Sequence, residues 1–200
     1  LVSQMCPRKN FENAIRWWVE EFIDQEVGLL VKTNIKSNSI MDWEHLEPAI
    51  KNMLGKYKDR KCKVYLLHGD LTSGQMTREG LPIVTIGWSG QMDFLTHENK
   101  EYFQPVEYTL SPVQQTSVWD GVIQKDSMWA YADQGSYKMT LRRTYKNWEA
   151  TKTMATELQG LMGEKFDLEK LYQGFCDAIY QDDNASDEEI DALFESLSEE

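Results

Sequence analysis

Three short stretches of the chain hold residue types that could do chemistry. The first is Arg8-Lys9, two cations set just before Asn10 and a helix-forming run that begins at Phe11. Cations beside the positive end of a helix make a phosphate cradle, because backbone N–H groups and side-chain charge converge on one anion. A solvated basic turn is the alternative, and the dipeptide alone does not separate the two. The second stretch is His68-Gly69-Asp70, where His68 could act as an acid or base or could simply hydrogen-bond at a strand end. The third is Trp88-Ser89-Gly90. Asp93 and Glu107 form a candidate carboxylate pair whose separation nothing in the sequence sets. Trp119, Trp129, Tyr131 and Tyr137 read as packing sooner than as a platform for a sugar ring. No GxSxG, GxGxxG or P-loop pattern occurs.

The elements that must position these residues follow from periodicity. Residues 1–5 (LVSQM) read as a short strand, CPRKN as a turn, and Asn10 as the N-cap of a helix whose Phe11, Ile15, Trp18, Val19 and Phe22 share one face. VGLLVKT (27–33) and CKVYLLH (62–68) are continuous apolar strands. MDWEHLEPAIKNMLGKY (41–57) between them is helical, with Pro48 either kinking it or sitting in its first turn. Apolar strands alternating with amphipathic helices predict a parallel sheet covered on both faces, whose ligands bind beyond the carboxyl ends of the strands. Lys9, His68 and Ser89 would then open on one edge.

The alternation breaks after His68. Only about a dozen residues separate Gly69 from the next apolar strand, LPIVTIG (81–87), whereas a parallel crossover needs a dozen or more and usually a complete helix. A segment is therefore expected to be missing near residues 77–80. GWSGQMDF (87–94) reads as a tight loop into a short helix, and 95–132 as irregular and aromatic-rich with one strand at PVEYTL (105–110). Helices are expected over 136–148, 149–162 and 168–180. Residues 186–200 show a capping box, Ser186 with Glu189, that predicts a further helix.

Charge narrows the partners. Of the formal −12, nine acidic residues lie within 181–200 with no Lys or Arg among them, which leaves 24 acidic against 21 basic residues elsewhere. So balanced a body has no field to attract a nucleic-acid backbone or an anionic membrane, and the tail reads as a solvated segment. Cys6, Cys62 and Cys176 are odd in number and widely spaced, against a disulfide framework or zinc site. The first two sit in apolar strand-like stretches, which suggests a reducing, cytoplasmic setting. No apolar run is long enough for a membrane helix, so no membrane insertion is expected. The chain opens on Leu1-Val2 and enters a strand at once, from which a preceding segment is expected.

The order of these pieces resembles the C-terminal half of the glycosyltransferase group 1 family, of GT-B fold, and looks closest to members carried by bacteriophages. SQMCPRKNFENAI, VGLLVKTN, KVYLLHGDLTSGQM, GLPIVTIGWSGQMDFL and VIQKDSMWAYADQGSYKMTLRRTY carry the likeness, over roughly residues 1–160. The resemblance implies a Rossmann-like domain that binds a nucleoside-diphosphate sugar, faces an acceptor domain across a cleft, and transfers the sugar with retention of configuration. By it, Lys9 matches the lysine on the donor diphosphate. The arginine that accompanies this lysine in the family falls on Gln4 here, and Arg8 is its candidate substitute. His68, Gly69, Asp70 and Leu71 match the loop near the nucleobase, and Ser89 and Gly90 the small-residue loop that approaches the donor. The family's glycine-rich loop and its pair of glutamates are missing between His68 and GLPIV, where the crossover was already too short. Glu79 falls just after that segment and is not one of the pair.

The sequence thus predicts an α/β, Rossmann-like nucleotide-sugar-binding domain over 1–165 and a helical acidic extension over 166–200. Its expected activity is sugar transfer from a nucleoside-diphosphate donor to an unknown acceptor, with Lys9 and Arg8 stabilising the departing diphosphate and no metal or other cofactor. The alternative is a nucleotide-sugar-binding or assembly module without activity. For a phosphatase or a reductase there is no nucleophile and no dinucleotide fingerprint.

Overall fold

The structure, a computed structural model, describes residues 1, 3–35, 39–68 and 80–181. They fall into two units, Leu1–Leu158 and the segment from Gln159 onward. The first is mixed α/β with small parallel and antiparallel sheets.

Helix α1 (Phe11–Glu21) buries Phe11, Ile15, Trp18 and Val19 on one face, and with Phe22 beyond its end they form one side of the core. Strands β1 (Gly28–Lys32) and β2 (Lys63–Leu67) pair in parallel, Gly28 opposite Lys63 and Lys32 opposite Leu67. Helix α2 (Ile40–Leu54) joins them and contributes Ile50 and Leu54 to the same core as Val31 and Cys62. Its start is set by Ser39, whose hydroxyl accepts from Asp42 N at 3.2 Å. Pro48 stands in the interior of α2, not in its first turn.

Leu1 and residues 3–5 run beside β1 as a parallel strand would. Lys32 N donates to Leu1 O at 2.8 Å, Ser3 N to Lys32 O at 3.1 Å and Met5 N to Asn34 O at 2.9 Å. The order across this sheet is therefore segment 1–5, β1, β2. Both helices lie on one face of it, against Leu29, Val31, Val64 and Leu66. On the other face Leu30 and Tyr65 are about half exposed.

Strand β3 (Val84–Ile86) does not continue that pairing; its described partner is β6 (Gln104–Val106), also parallel. Between them come α3 (Met92–Leu95) and a two-residue hairpin pair, β4 (Thr96–His97) with β5 (Lys100–Glu101). Strand β7 (Tyr108–Pro112) pairs antiparallel with β8 (Met128–Ala132). This corrects two expectations, and the placing of Cys6 a third. The stretch 95–132 is not irregular but holds most of the short strands. PVEYTL is not one strand, because Glu107 N turns aside to Ser136 Oγ at 2.9 Å and Glu107 O takes Asp133 N at 2.8 Å, so the two halves serve different sheets. Cys6 is likewise not in a strand but in the turn after segment 1–5, whereas Cys62 is buried just before β2.

Helix α4 (Gln134–Lys146), capped by Asp133 accepting from Ser136 N at 2.6 Å, ends at Asn147. Its buried residues are Ser136, Thr140 and Thr144, spaced four apart and polar. Each hydroxyl is engaged: Ser136 with Glu107 N, Thr140 donating to Pro105 O at 3.1 Å, and Thr144 to Thr140 O at 2.8 Å. A satisfied hydroxyl in a tight interface avoids the desolvation cost that an unpaired one would carry. Helices α5 (Trp148–Lys165) and α6 (Leu168–Gln181) follow. The expected helix over 186–200 lies outside the described residues, as do residues 77–79 of the expected gap near 77–80.

Candidate functional site

The cations are held by a short, well-anchored loop. Pro7–Lys9 form one turn of 3₁₀ helix, closed by Lys9 N donating to Cys6 O at 3.1 Å. Asn10 then takes a left-handed conformation (φ 51°, ψ 31°), which Asn adopts more readily than most residues, and the chain turns directly into α1. Asn10 is the N-cap by position only. Its carboxamide oxygen accepts from Asn13 Nδ2 at 2.7 Å and not from the leading backbone N–H groups of the helix. Arg8 and Lys9 are both exposed, and neither side chain has a hydrogen-bond or ion-pair partner among the described residues. Two uncommitted cations thus stand beside a helix N-terminus without a side-chain cap; the exposed Glu12 in that first turn is the nearest opposing charge in sequence.

The neighbouring strand ends meet this loop through a series of contacts. Gln4 Nε2 donates to Ile35 O at 2.6 Å, which ties the end of the N-terminal segment to the loop after β1. Ile35 N donates to Asp42 Oδ2 at 3.0 Å, which ties that loop to the first turn of α2. Trp43, next in the same turn, packs its ring 5.6 Å from the ring of His68 at the end of β2, at 59°. His68 Nε2 is buried without a partner among the described residues. Gln4, Arg8, Lys9 and His68 therefore all stand at the carboxyl ends of one small parallel sheet. Gly69, Asp70 and Leu71 lie outside the described residues.

Ser89 and Gly90 follow β3, in the second parallel sheet. Ser89 has φ 67°, Gly90 has open space where a side chain would stand, and Gln91 fastens the turn by donating to Thr85 Oγ1 at 3.2 Å and to Ile86 O. Trp88 lies against Tyr108, ring centres 5.9 Å apart. No described contact joins Ser89 or Gly90 to Arg8, Lys9 or His68.

Other candidates disperse. Asp93 lies in α3 and Glu107 between β6 and β7. The four aromatic residues make no ring contact with one another: Trp119 is 67% exposed, Trp129 and Tyr131 lie on β8, and Tyr137 packs against Trp17 at 5.8 Å. Among the described residues no group of three His, Cys, Asp or Glu could hold a metal ion. No described helix is long and apolar enough to cross a membrane. An open depression of about 390 Å³ is lined by Glu21 and by α4 residues including Lys138, Arg142 and Arg143, none of them a candidate. Sequence reasoning missed Trp43 and Asp42. Their position in the first turn after a strand-end loop was the available signal. Comparison with known protein families, with curated proteins and with solved structures gives no match to this chain.

Proposed function

We propose that this chain is the donor-binding half of a glycosyltransferase, which moves a sugar from a nucleoside-diphosphate carrier to an acceptor. The observation that carries the reading is the pair Arg8 and Lys9, exposed and uncommitted at the carboxyl edge of a parallel sheet and beside the N-terminus of α1. Such an edge is where open α/β sheets bind ligands, and a diphosphate is the anion two adjacent cations suit. The parallel order of the N-terminal segment, β1 and β2, with both helices on one face, supports the reading, since a Rossmann-like half would have that order.

In this reading, negative charge builds on the diphosphate as the bond from the sugar's anomeric carbon to the phosphate oxygen lengthens. The Lys9 ammonium and the Arg8 guanidinium stabilise that charge, more strongly in the transition state than in the bound donor. The guanidinium can grip two phosphate oxygens at once, whereas the ammonium acts as a point charge. Gln4, through Ile35, holds the loop against its neighbour. His68 and Trp43 stand where a base or ribose would lie.

A second reading, a nucleotide-sugar-binding or assembly module without transfer, is favoured by the connection between β2 and β3. Residues 68–83 contain a single glutamate, Glu79, and no glycine-rich run. Calorimetric titration with UDP, GDP, ADP, CDP and dTDP tests the shared part of both readings. At least one should bind, and Lys9→Ala should weaken it by about tenfold or more, equivalent to about 1.4 kcal/mol. Absence of binding, or binding indifferent to Lys9→Ala, would remove the site. Release of free sugar from the corresponding nucleotide sugar then separates the enzyme from the module.

A further inference from the structure

Helix α6 carries an apolar face that the described residues of its own unit leave open. Leu168, Tyr172, Phe175 and Ile179 are 65%, 67%, 65% and 51% exposed, and Leu171 beside them is 46% exposed. The steps from 168 to 172, 175 and 179 alternate four and three, the spacing of a coiled-coil seam. Ala178 flanks that seam on the side of Leu171. Charge is kept off it: Lys170 and Asp177 stand seven apart on the opposite side of the helix, where Gln173 Nε2 donates to Asp177 Oδ1 at 2.6 Å.

The exposed area selects the occupant. Five side chains of this size, with aromatic ones contributing 150–250 Å² each when fully covered, offer on the order of 600 Å². Contiguous apolar patches on monomers rarely exceed a few hundred Å². Two such faces together reach about 1,200 Å², the lower bound for a specific interface between proteins. The stripe is also self-complementary about a two-fold axis passing between Gln173 and Gly174. Leu168 of one copy then meets Ile179 of the other, and Tyr172 meets Phe175, in both directions at once. Charge fixes the direction. The chain leaving Gln181 carries nine acidic residues and no basic one, so parallel helices would bring two such tails together while antiparallel helices send them to opposite ends.

We infer that the face Leu168/Tyr172/Phe175/Ile179 of α6 is the interface with a second copy of this chain, the two helices packing antiparallel.

Sedimentation velocity on the full chain tests the inference. At about 100 µM, well above the micromolar Kd typical of the weaker specific interfaces, the mass should be twice 23.3 kDa. Phe175→Glu should raise the dimer Kd at least about thirtyfold, since a central aromatic anchor is replaced by a charge. Lys170→Glu, on the outer side, should leave it unchanged, with helical circular dichroism confirming that both variants fold. In a Cys176→Ser background, a Leu168→Cys chain should form a disulfide with an Ile179→Cys chain and not with itself. A mass of 23.3 kDa at every concentration, or a dimer indifferent to Phe175→Glu, would overturn the inference. Dimerisation only after truncation at Gln181 would overturn it too, because the chain's own tail would then be the occupant. Self-crosslinking of Leu168→Cys would overturn the antiparallel arrangement.

Discussion

Replacing Glu20 by Ala removes an acceptor on α1 that three donors from two other parts of the chain share. Its carboxylate takes Tyr57 OH at 2.7 Å, Lys138 Nζ at 2.5 Å and Gln134 Nε2 at 3.3 Å, and so joins α1 both to the chain after α2 and to α4. A hydrogen bond to a charged acceptor contributes about 1.5 kcal/mol at the low end, appropriate to a site still 29% exposed. The Lys138 pair adds about 0.5 kcal/mol, and the better helix propensity of Ala offsets a few tenths. The net loss is about 2 kcal/mol, and 1 kcal/mol moves the midpoint of a domain this size by about 2–4 °C, so Glu20→Ala should lower it by about 6 °C. Burial pushes the Glu20 carboxyl up, but the hydrogen bonds from Lys138 and Tyr57 and the charges of Lys138 and Arg16 outweigh it, so the group sits below the ordinary carboxylate range. A depressed carboxylate contributes stability above its unfolded pKa and loses it as pH falls through its folded one. The difference between wild type and Glu20→Ala should therefore shrink as the solution is acidified below the usual carboxylate range. Thermal denaturation followed by circular dichroism measures both, and a double-mutant cycle with Lys138→Ala should return a coupling of about 0.5 kcal/mol or more. A midpoint shift under about 1 °C, or one that does not diminish in acid, would refute the reasoning.

Other expectations can be checked as directly. Thr140→Val keeps the shape but strands Pro105 O in the α4 interface, and should cost about 1–2 kcal/mol in chemical denaturation. With Ellman's reagent the exposed Cys176 should react fastest and the half-buried Cys6 more slowly, while Cys62, buried and with its thiol pKa raised chiefly by that burial, should react only on unfolding. The Tyr57 and Tyr137 phenols are both pushed up to about 12, Tyr137 by burial and Tyr57 by burial and then by its bond to Glu20. A phenol whose folded pKa is raised stabilises the fold below the unfolded value of 10.0 and loses that contribution as pH rises toward 12. Two tyrosines should thus resist ionisation until unfolding begins in a spectrophotometric alkaline titration, and Glu20→Ala should bring Tyr57 down.

Where local pattern decides structure, the sequence was readable. Phe11, Ile15, Trp18, Val19 and Phe22 repeat at helical spacing, and all five are buried; the apolar runs at 27–33 and 62–68 are the paired strands β1 and β2. Strand β8 was not readable, because Met128–Ala132 becomes a strand only by pairing with β7 across a loop of variable composition. Nor was the division of PVEYTL, which depends on Ser136 and Asp133 from a distant helix. The buried face of α4 escaped hydrophobic periodicity since Ser136, Thr140 and Thr144 are polar. Of the candidate site, Arg8, Lys9, Gln4 and His68 fall on one sheet edge, as strand-end positions should. The ring contact between Trp43 and His68 needed the parallel register of β1 and β2 to bring α2 beside the end of β2.

The left-handed Asn10 gives the loop before it a property that would matter to the anion proposed to bind there. Met5 N on Asn34 O at one end and the reversal at Asn10, which Asn13 braces, at the other hold the backbone from Gln4 to Asn10 by bonds within the protein itself. Ordering a flexible loop on binding would cost about 1–2 kcal/mol per residue in backbone entropy. Here only the Arg8 and Lys9 side chains remain to be fixed, at about 0.5–1.5 kcal/mol each. Under the proposed function, recognition at this edge would come down to two rotamers, and a bulky β-branched residue at position 10, strained at this left-handed φ, would loosen the loop.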